Sequence, residues 1–316
     1  MMDLRKFRPQ GGNDIMQYCP PLCFELAGRK FELQMDNGYD ILLNFIDGKS
    51  MEWSWVGAPP TFEPWMAHGK SPKKEAYECL KGDDTTYLVS YVCANIEPRI
   101  NHVWVIDMEN MLVTRIFSAI GKNPRWPMLI SPEVDFGCIK QEGVEYRSYP
   151  RHGFSGDMVG NVVQFQYGSE LATVHAYYDP FFYRITFPRD NITAASKKTS
   201  DKPKTTASSI ITSDEPVHYI KIKDGMYLFS LTEQYTEKIR GAAGGYRSST
   251  LCYLQNYKGM AFVGRGYGTM TRTVDGREEH SPIHIMFGTY SKVIDQTTDS
   301  FWEKFTTDPN PYLINS

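Results

Sequence analysis

The chain has 316 residues, of which 41% are hydrophobic and 22% charged, and its formal net charge is −3. This size and composition are typical of a globular protein with one large domain or two ordinary ones, and the small net charge excludes an electrostatic basis for binding nucleic acid or an anionic membrane. No apolar run reaches the roughly 18 residues of a membrane span, and the N-terminal stretch lacks the apolar core of a signal peptide, so we expect a cytoplasmic protein.

The first half of the chain predicts a series of β-strands. The stretch RKFELQMD alternates between apolar and polar residues and ends in Asp36-Asn37-Gly38, a strong hairpin signal. Further strands are predicted at YDILLNFID, SMEWSWVG, EAYECLK and TTYLVSYVCA, followed by a hairpin of NHVWVIDMEN and MLVTRIFSAIG. Because almost no 3.6-residue periodicity separates these stretches, they predict an antiparallel barrel or sandwich.

The second half repeats this order of elements. VGNVVQFQYG resembles AGRKFELQMDNG, and VHYIKIKDGMYLFSLTEQ parallels EAYECLKGDDTTYLVSYVC. STLCYLQNYKGMAFVGRGYG is again a hairpin that ends in glycine, like HVWVIDMENMLVTRIFSAIG. Four elements recurring in the same order indicate a tandem duplication, with its junction near residues 146–157.

The duplication divides the chain into four parts. They are an N-terminal extension (1–20), a first barrel (21–147), a second barrel (157–295) and a C-terminal tail (296–316). The stretch 190–215, rich in Ser, Thr and Lys, predicts a mobile surface loop within the second barrel. The tail is expected to hold a short helix around 301–305.

No metal site or cofactor is predicted. The six cysteines are scattered, and no second pair accompanies Cys19 and Cys23 to complete a zinc site, so we expect reduced, mostly buried thiols. His280 and His284 are four residues apart, but the Ser-Pro between them breaks any helix that could present both to a metal. The glycine-rich stretches GAAGG and GRGYG do not precede a helical pattern and are not predicted to bind phosphate.

The two-part layout resembles the MoaF family. The resemblance rests on LAGRKFEL at the start of one half and MVGNVVQFQY with VHAYYD at the start of the other, and it covers roughly residues 20–295. It implies an all-β fold of two tandem antiparallel calycin (lipocalin-like) barrels with few short helices.

Each half is also distantly similar to phenolic acid decarboxylases, which are cofactor-free, single-barrel lyases. In that family, tyrosines on the first strand and an arginine hold a para-hydroxycinnamate inside the barrel, and a glutamate takes part in proton transfer. This chemistry needs an acid in an apolar interior and hydrogen-bond donors for a phenolate or carboxylate.

The first half departs from the decarboxylase pattern. Leu33 and Met35 occupy the tyrosine positions, Ser54 the arginine position and Cys93 the glutamate position. The resemblance therefore implies no such chemistry there. Aromatic side chains either line a ligand site in the first barrel or simply fill it; they are Trp53, Trp55, Tyr87, Tyr91, His102 and Trp104.

The second half matches the pattern more closely. Phe165 and Tyr167 occupy the tyrosine positions, Arg184 follows a tyrosine in FFYRIT, and Glu233 ends YLFSLTE where the family has its acid. Glu233 is in phase with Tyr227, Phe229 and Leu231, which alternation places on one face of a strand.

A histidine in the second half is an alternative acid or base. TVHAYYD places His175 and Tyr177 on one strand face, and an imidazole titrates near neutral pH. Structural explanations stay open for all three charged candidates: Glu233 at an exposed strand end, His175 as a buried structural residue, and Arg184 on the outer surface, paired with an acid.

The sequence favours a cofactor-independent lyase or isomerase of secondary metabolism that acts on an aromatic or conjugated metabolite. Glu233 would be the general acid/base, shared with His175, and Arg184 would orient an anionic group. The substrate contacts would come from Tyr167, Tyr177, Tyr227, Phe165 and Phe229, with Trp53 and Trp55 in the first barrel. The alternative is a lipocalin-like protein that binds a hydrophobic ligand without turnover; whether the chain forms a homodimer stays open.

Overall fold

The computed structural model describes residue 4 and residues 16–57, 73–93, 99–121, 130–145, 150–190, 212–233, 246–274 and 277–296. Within these ranges the regular structure consists of β-strands, and no α-helix occurs. Accordingly, this part of the chain has no helix with the length and apolar character needed to cross a membrane.

Eight strands form the first barrel. They are β1 (Lys30–Met35), β2 (Asp40–Phe45), β3 (Ser50–Val56), β4 (Lys73–Lys81), β5 (Thr86–Cys93), β6 (Ile100–Asp107), β7 (Leu112–Ile120) and β8 (Ile130–Ile139). Each strand pairs antiparallel with the next one, and β1 pairs with β8 to close the barrel. Strand β8 lies in ISPEVDFGCI, a stretch in which the sequence analysis identified no strand.

The second barrel follows the same plan. Its strands are β10 (Asn161–Gln166), β11 (Leu171–Ala176), β12 (Phe182–Asp190), β13 (Thr212–Lys223), β14 (Met226–Glu233), β15 (Tyr246–Asn256), β16 (Ala261–Val274) and β17 (Arg277–Gln296). Closure comes from the pairs β10–β17 and β12–β13, while the short β9 (Gly153–Phe154) adds to β13 from outside. The prediction of two tandem antiparallel barrels is confirmed.

Alternation and turn chemistry explain why these residues form strands. Every second residue is buried along β2 and β10, so each of these strands fills its barrel with one face and leaves the other partly solvated. Gly38 and Gly225 end the β1–β2 and β13–β14 turns with φ of 88° and 75°, a backbone conformation that residues with a Cβ rarely adopt.

Other strands are buried on both faces. All eight residues of β5 and of β6 are buried, because one face fills the first barrel and the other packs on the second barrel. This contact is an apolar cluster whose members come from both barrels: Leu80, Leu88, Val103, Val105 and Ile116 from the first, and Ile220, Ile222, Met226, Leu228, Cys252, Leu254, Val263 and Met286 from the second. The outer surfaces of the two barrels thus form a shared core.

A buried polar chain crosses this contact. Ser90 Oγ of β5 lies 2.8 Å from His284 Nε2 of β17, and Asn101 Nδ2 donates to the same hydroxyl at 3.0 Å. On the other side of the imidazole, His284 Nδ1 lies 3.6 Å from Glu78 Oε2. Because buried polar groups are costly without partners, these contacts favour one relative orientation of the two barrels.

Two predictions concern residues outside the described ranges, one of them entirely and the other in large part. The helix expected around 301–305 lies outside them. Of the loop expected over 190–215, residues 191–211 also lie outside, whereas Asp190 ends β12 and 212–215 already belong to β13.

Substituting Gly264 tests the packing of the second barrel. An added Cβ would lie 2.3 Å from Phe287 Cζ and 2.7 Å from the Cys252 carbonyl oxygen. Backbone cannot move aside as a side chain can, so we expect Gly264→Ala to lower the free energy of unfolding by about 2 kcal/mol or more in urea denaturation.

Gly266→Ala is the matched comparison, two residues further along β16 on the same face. Its Cβ would meet only Ile285 Cγ2, at 2.9 Å, so a smaller loss is expected. Equal losses in the two variants would contradict the packing described at Gly264.

Candidate functional site

The interior of the second barrel is lined mainly by aromatic side chains. They are Phe165, Tyr167, Tyr177, Tyr183, Phe187, Tyr219, Phe229, Tyr253, Phe262 and Phe287, all buried and in mutual contact. Edge-to-face and tilted ring contacts join them through the length of the barrel. The polar groups among these rings therefore lie in a region of low dielectric.

Glu233 lies inside this barrel, near one end. It continues the inward-facing row of Phe229 and Leu231 along β14, and only 8% of its surface is exposed. Ser249, its partner in register on β15, donates a hydrogen bond from Oγ to Glu233 Oε2 at 2.6 Å. We call this end of the second barrel, at which β12, β14 and β16 end, the glutamate end.

A second carboxylate at the glutamate end escaped the sequence analysis. Glu215 of β13 is fully buried, in the inward-facing row with Val217 and Tyr219, and it accepts a hydrogen bond from Ser213 Oγ at 3.3 Å. Val217 pairs with Leu231, so continuing this register by two residues places Glu215 opposite Glu233. Alternation in DEPVHY could have identified it, but its Ser- and Thr-rich surroundings were interpreted as loop.

Tyr183 lies beside both carboxylates. It pairs in register with Glu215, and its hydroxyl is buried without a hydrogen-bond partner in the described part of the chain. Burial, and after it the negative charges of Glu233 and Glu215, hold the pKa of Tyr183 well above its usual value. Its hydroxyl group is therefore neutral at physiological pH and can donate a hydrogen bond to a bound molecule.

His175 lies deeper, among aromatic rings. Its ring centre is 4.2 Å from that of Phe165, 4.9 Å from Tyr183 and 5.6 Å from Phe229. Burial lowers the pKa of His175 to about 3, so the imidazole is uncharged at neutral pH. Nε2 lies 3.1 Å from Thr173 Oγ1, and Nδ1 has no hydrogen-bond partner within the described residues.

The predicted substrate-binding tyrosines take different positions. Tyr167 OH lies 2.8 Å from Tyr253 OH in the interior, and Tyr177 OH accepts a hydrogen bond from Gln255 Nε2 at 3.0 Å toward the opposite end. Tyr227 is only partly buried, and its hydroxyl donates to Asp157 on the surface. Tyr227 is therefore separated from the glutamate end.

Arg184 requires a correction. Its side chain is 54% exposed on the outer face of β12, where Nε and Nη2 bind the two carboxylate oxygens of Asp214 at 2.8 and 3.0 Å. Because side chains alternate along a strand, the inward positions of β12 are Tyr183 and Ile185. Arg184 therefore does not face Glu233, and the structural explanation left open for it describes its position.

The first barrel has a different polar interior. Arg115 is buried against the rings of Trp55, Trp104 and Phe117, with its guanidinium 5.6–5.8 Å from their centres, and it forms an ion pair with Asp135. Stacking on aromatic faces suits a planar guanidinium.

A histidine lies beside this ion pair. The His102 ring stacks on Tyr91 at 4.9 Å and lies 5.0 Å from Trp53; neither ring nitrogen has a hydrogen-bond partner in the described residues. Burial, followed by the nearby charge of Arg115, keeps the pKa of His102 well below its usual value. Trp53 and Trp55 therefore belong to a polar interior separate from that of Glu233.

Comparison with protein families gives a match for most of the first barrel. Residues 12–122 match the MoaF N-terminal domain. The predicted resemblance to the MoaF family is thereby confirmed for the MoaF-like first barrel. No curated protein matches the chain.

Register links each position of the MoaF-like barrel to one in the second barrel. The pair Tyr77–Tyr91 in the first barrel corresponds to the pair Val217–Leu231 in the second. Counting along the strands from this pair, and across to the neighbouring strands, gives the other equivalent positions. The positions of Glu233, Tyr183, Ser249 and His175 are held in the MoaF-like barrel by Cys93, Met51, Ile100 and Leu43.

The reverse also holds for the polar residues of the MoaF-like barrel. The positions of His102, Arg115 and Asp135 are held in the second barrel by Leu251, Gly264 and Phe287. Glu215 is the exception, because the same register places Glu75 at its position in the MoaF-like barrel. Apart from this carboxylate, each barrel closes without the polar residues of the other, so those residues are not a requirement of the fold.

Removing the Tyr183 hydroxyl tests whether it contributes to folding. Its hydroxyl has no partner, so Tyr183→Phe should leave the free energy of unfolding unchanged within about 0.5 kcal/mol or raise it. Tyr167→Phe, which removes the 2.8 Å contact with Tyr253, should instead cost about 1 kcal/mol. Urea denaturation measures both, and a clear loss of stability in Tyr183→Phe would show that its hydroxyl is satisfied within the protein.

His175 should make the stability of the fold depend on pH. Its pKa in the folded chain is about 3, below the ordinary value of 6.5, so its contribution is complete above pH 6.5 and is lost as the pH falls toward 3. Between pH 7 and pH 5 this amounts to about 2 kcal/mol.

His175→Leu should reduce the difference in the free energy of unfolding between pH 7 and pH 5 by that amount. Phe229→Leu is the control, since it disturbs the same core but keeps the imidazole. An unchanged difference in His175→Leu would mean that the imidazole can be protonated in the folded state.

Proposed function

We propose that the second barrel is the reaction chamber of a cofactor-independent lyase or isomerase that acts on an aromatic or conjugated metabolite. The observation that carries the proposal is the buried Tyr183 hydroxyl, which lacks a partner in the described residues and lies beside two inward-facing carboxylates, Glu215 and Glu233. Buried polar groups without partners are rare, and a catalytic role is one of the explanations for such a group.

The chemistry follows from the donor set at the glutamate end. Glu233, held by Ser249 at 2.6 Å, is the group that delivers a proton to a conjugated substrate and takes one back. Tyr183 donates its hydroxyl proton to an oxygen on which negative charge develops, in a region from which the aromatic side chains exclude water. Decarboxylation, dehydration and double-bond isomerisation all need this proton transfer.

The roles of His175 and Arg184 differ from those first expected. An imidazole with a pKa of about 3 is not an imidazolium at neutral pH and lacks the acidic second proton, so the proposal assigns proton transfer to Glu233 and leaves His175 as a neutral hydrogen-bonding group. With Arg184 paired to Asp214 on the surface, Tyr183 takes over the contact with an anionic oxygen.

The aromatic interior supports the choice of substrate class. Flat rings at Phe165, Phe229 and Tyr253 offer stacking and edge-to-face contacts to a planar molecule. The same lining favours the second candidate function, which is binding of a hydrophobic ligand without turnover. The two candidates differ in whether the carboxylates of the glutamate end are needed.

Replacing Glu233 tests the enzymatic proposal. Glu233→Gln keeps the size of the side chain and an oxygen that can accept the Ser249 hydrogen bond, but it cannot transfer a proton. We expect product formation from a panel of aromatic and conjugated carboxylic acids, followed by mass spectrometry, to fall at least about 100-fold while the melting temperature changes little.

Arg184→Gln is the matched control, because it removes a charge from the outer face of the same barrel and should leave turnover unchanged. Undiminished turnover in Glu233→Gln would refute the role of this carboxylate. Binding of panel members without product from the parent protein would favour the non-catalytic function.

A further inference from the structure

Two cysteines meet at the base of the first barrel. Cys23 lies in the segment before β1, and its backbone N–H donates to the carbonyl oxygen of Cys79, on β4, at 2.8 Å. Both side chains belong to the same apolar core. A direct backbone hydrogen bond keeps the two Cα atoms within about 7 Å of each other. Disulfides form at Cα separations of about 4.4–6.8 Å.

The two thiols have opposite properties. The neighbouring Cys79 thiol lowers the pKa of Cys23 to about 6, against the opposing effect of burial and with help from the backbone N–H of Glu25 and the charge of Lys81. The same interaction, together with burial, raises the pKa of Cys79 well above its usual value, and the Cys79 thiol also lies 3.8 Å from the Leu80 carbonyl oxygen. At neutral pH one sulfur is therefore a nucleophilic thiolate and its neighbour a thiol.

Three of the other cysteines have different surroundings. Burial raises the pKa of Cys93 and of Cys138, which keeps both as unreactive thiols. Cys252 Sγ contacts the Ser230 hydroxyl and accepts a hydrogen bond from Arg265 Nη2 at 3.3 Å. Cys23, in contrast, has the Cys79 thiol beside it as a partner for a disulfide.

We propose that Cys23 and Cys79 form a modification site, an oxidisable thiol pair that hydrogen peroxide converts to a disulfide. The Cys23 thiolate attacks one peroxide oxygen, the O–O bond breaks, and hydroxide leaves to give a sulfenic acid. Cys79 then attacks the Cys23 sulfur, forming the S–S bond and releasing water. The two sulfurs together lose two electrons, and Cys79 loses its proton to the departing water. The hydroxide from the first step takes up a proton from solvent, so one peroxide becomes two waters.

The position of the pair gives the disulfide a structural consequence. The segment that contains Cys23 also contacts the second barrel, through Tyr18 N–H to the Tyr167 carbonyl oxygen at 3.1 Å and Ser169 N–H to Gln17 Oε1 at 2.7 Å. A Cys23–Cys79 bond would covalently attach this segment to β4. Oxidation would thus fix a connection between the barrels that hydrogen bonds otherwise maintain.

Treating the folded, full-length protein with hydrogen peroxide tests the proposal. After free thiols are blocked with N-ethylmaleimide, we expect two fewer adducts, a linked Cys23–Cys79 peptide in the digest, and full reversal by dithiothreitol. Cys79→Ser should lose the linked peptide completely and accumulate a sulfenic acid at Cys23 that dimedone traps. Cys138→Ser should behave as the parent.

Two results would overturn the proposal. One is peroxide treatment that modifies other cysteines of the folded protein while leaving Cys23 and Cys79 unlinked. The other is a linked peptide that forms equally fast in urea, where the folded geometry is absent. Melting temperatures of both serine variants show whether either result reflects a failure to fold.

Discussion

The contact between the two barrels depends on strands that are buried on both faces. β5 and β6 fill the first barrel with one row of side chains and pack on the second barrel with the other. Neither barrel alone would keep this outer apolar surface from water, so burying it stabilises both together. Strands held on both sides are also rigid supports, and the counterpart of β5, β14, carries Glu233 at its end.

Alternation explains what could be predicted from the sequence and what could not. It placed Glu233 in phase with Phe229, and Glu233 lies inside. Arg184 was assigned by resemblance rather than by phase, and the phase of β12 turns it outward. Glu215 was missed because local composition outweighed alternation, although alternation runs from Glu215 to Tyr219. The contact between the barrels could not be predicted, because strands buried on both faces appear in the sequence as continuous apolar runs. Such runs do not show which surface covers the outer face.

The two interiors have different polar residues at several equivalent positions. Where the first barrel has Arg115 and Asp135, the second has Gly264 and Phe287, and the Phe287 ring lies against Gly264 in the space that a larger side chain would need. The interior of a closed barrel has a limited volume. The space that the Phe287 ring fills in the second barrel can hold an ion pair in the first barrel only because the residues on both strands of the pair differ.

The interiors of the two barrels differ in the charged groups that they contain. In the first barrel, Arg115 and Asp135 have opposite charges and satisfy each other across one strand pair. In the second, Glu215 and Glu233 are both acids and cannot form an ion pair with each other, and the Tyr183 hydroxyl beside them has no acceptor in the described residues. An ion pair stabilises a packed interior by satisfying both of its members, whereas a buried hydroxyl group without an acceptor is costly unless it serves a ligand. This hydroxyl group, more than the number of aromatic side chains, is the reason for proposing the second barrel as the place of chemistry.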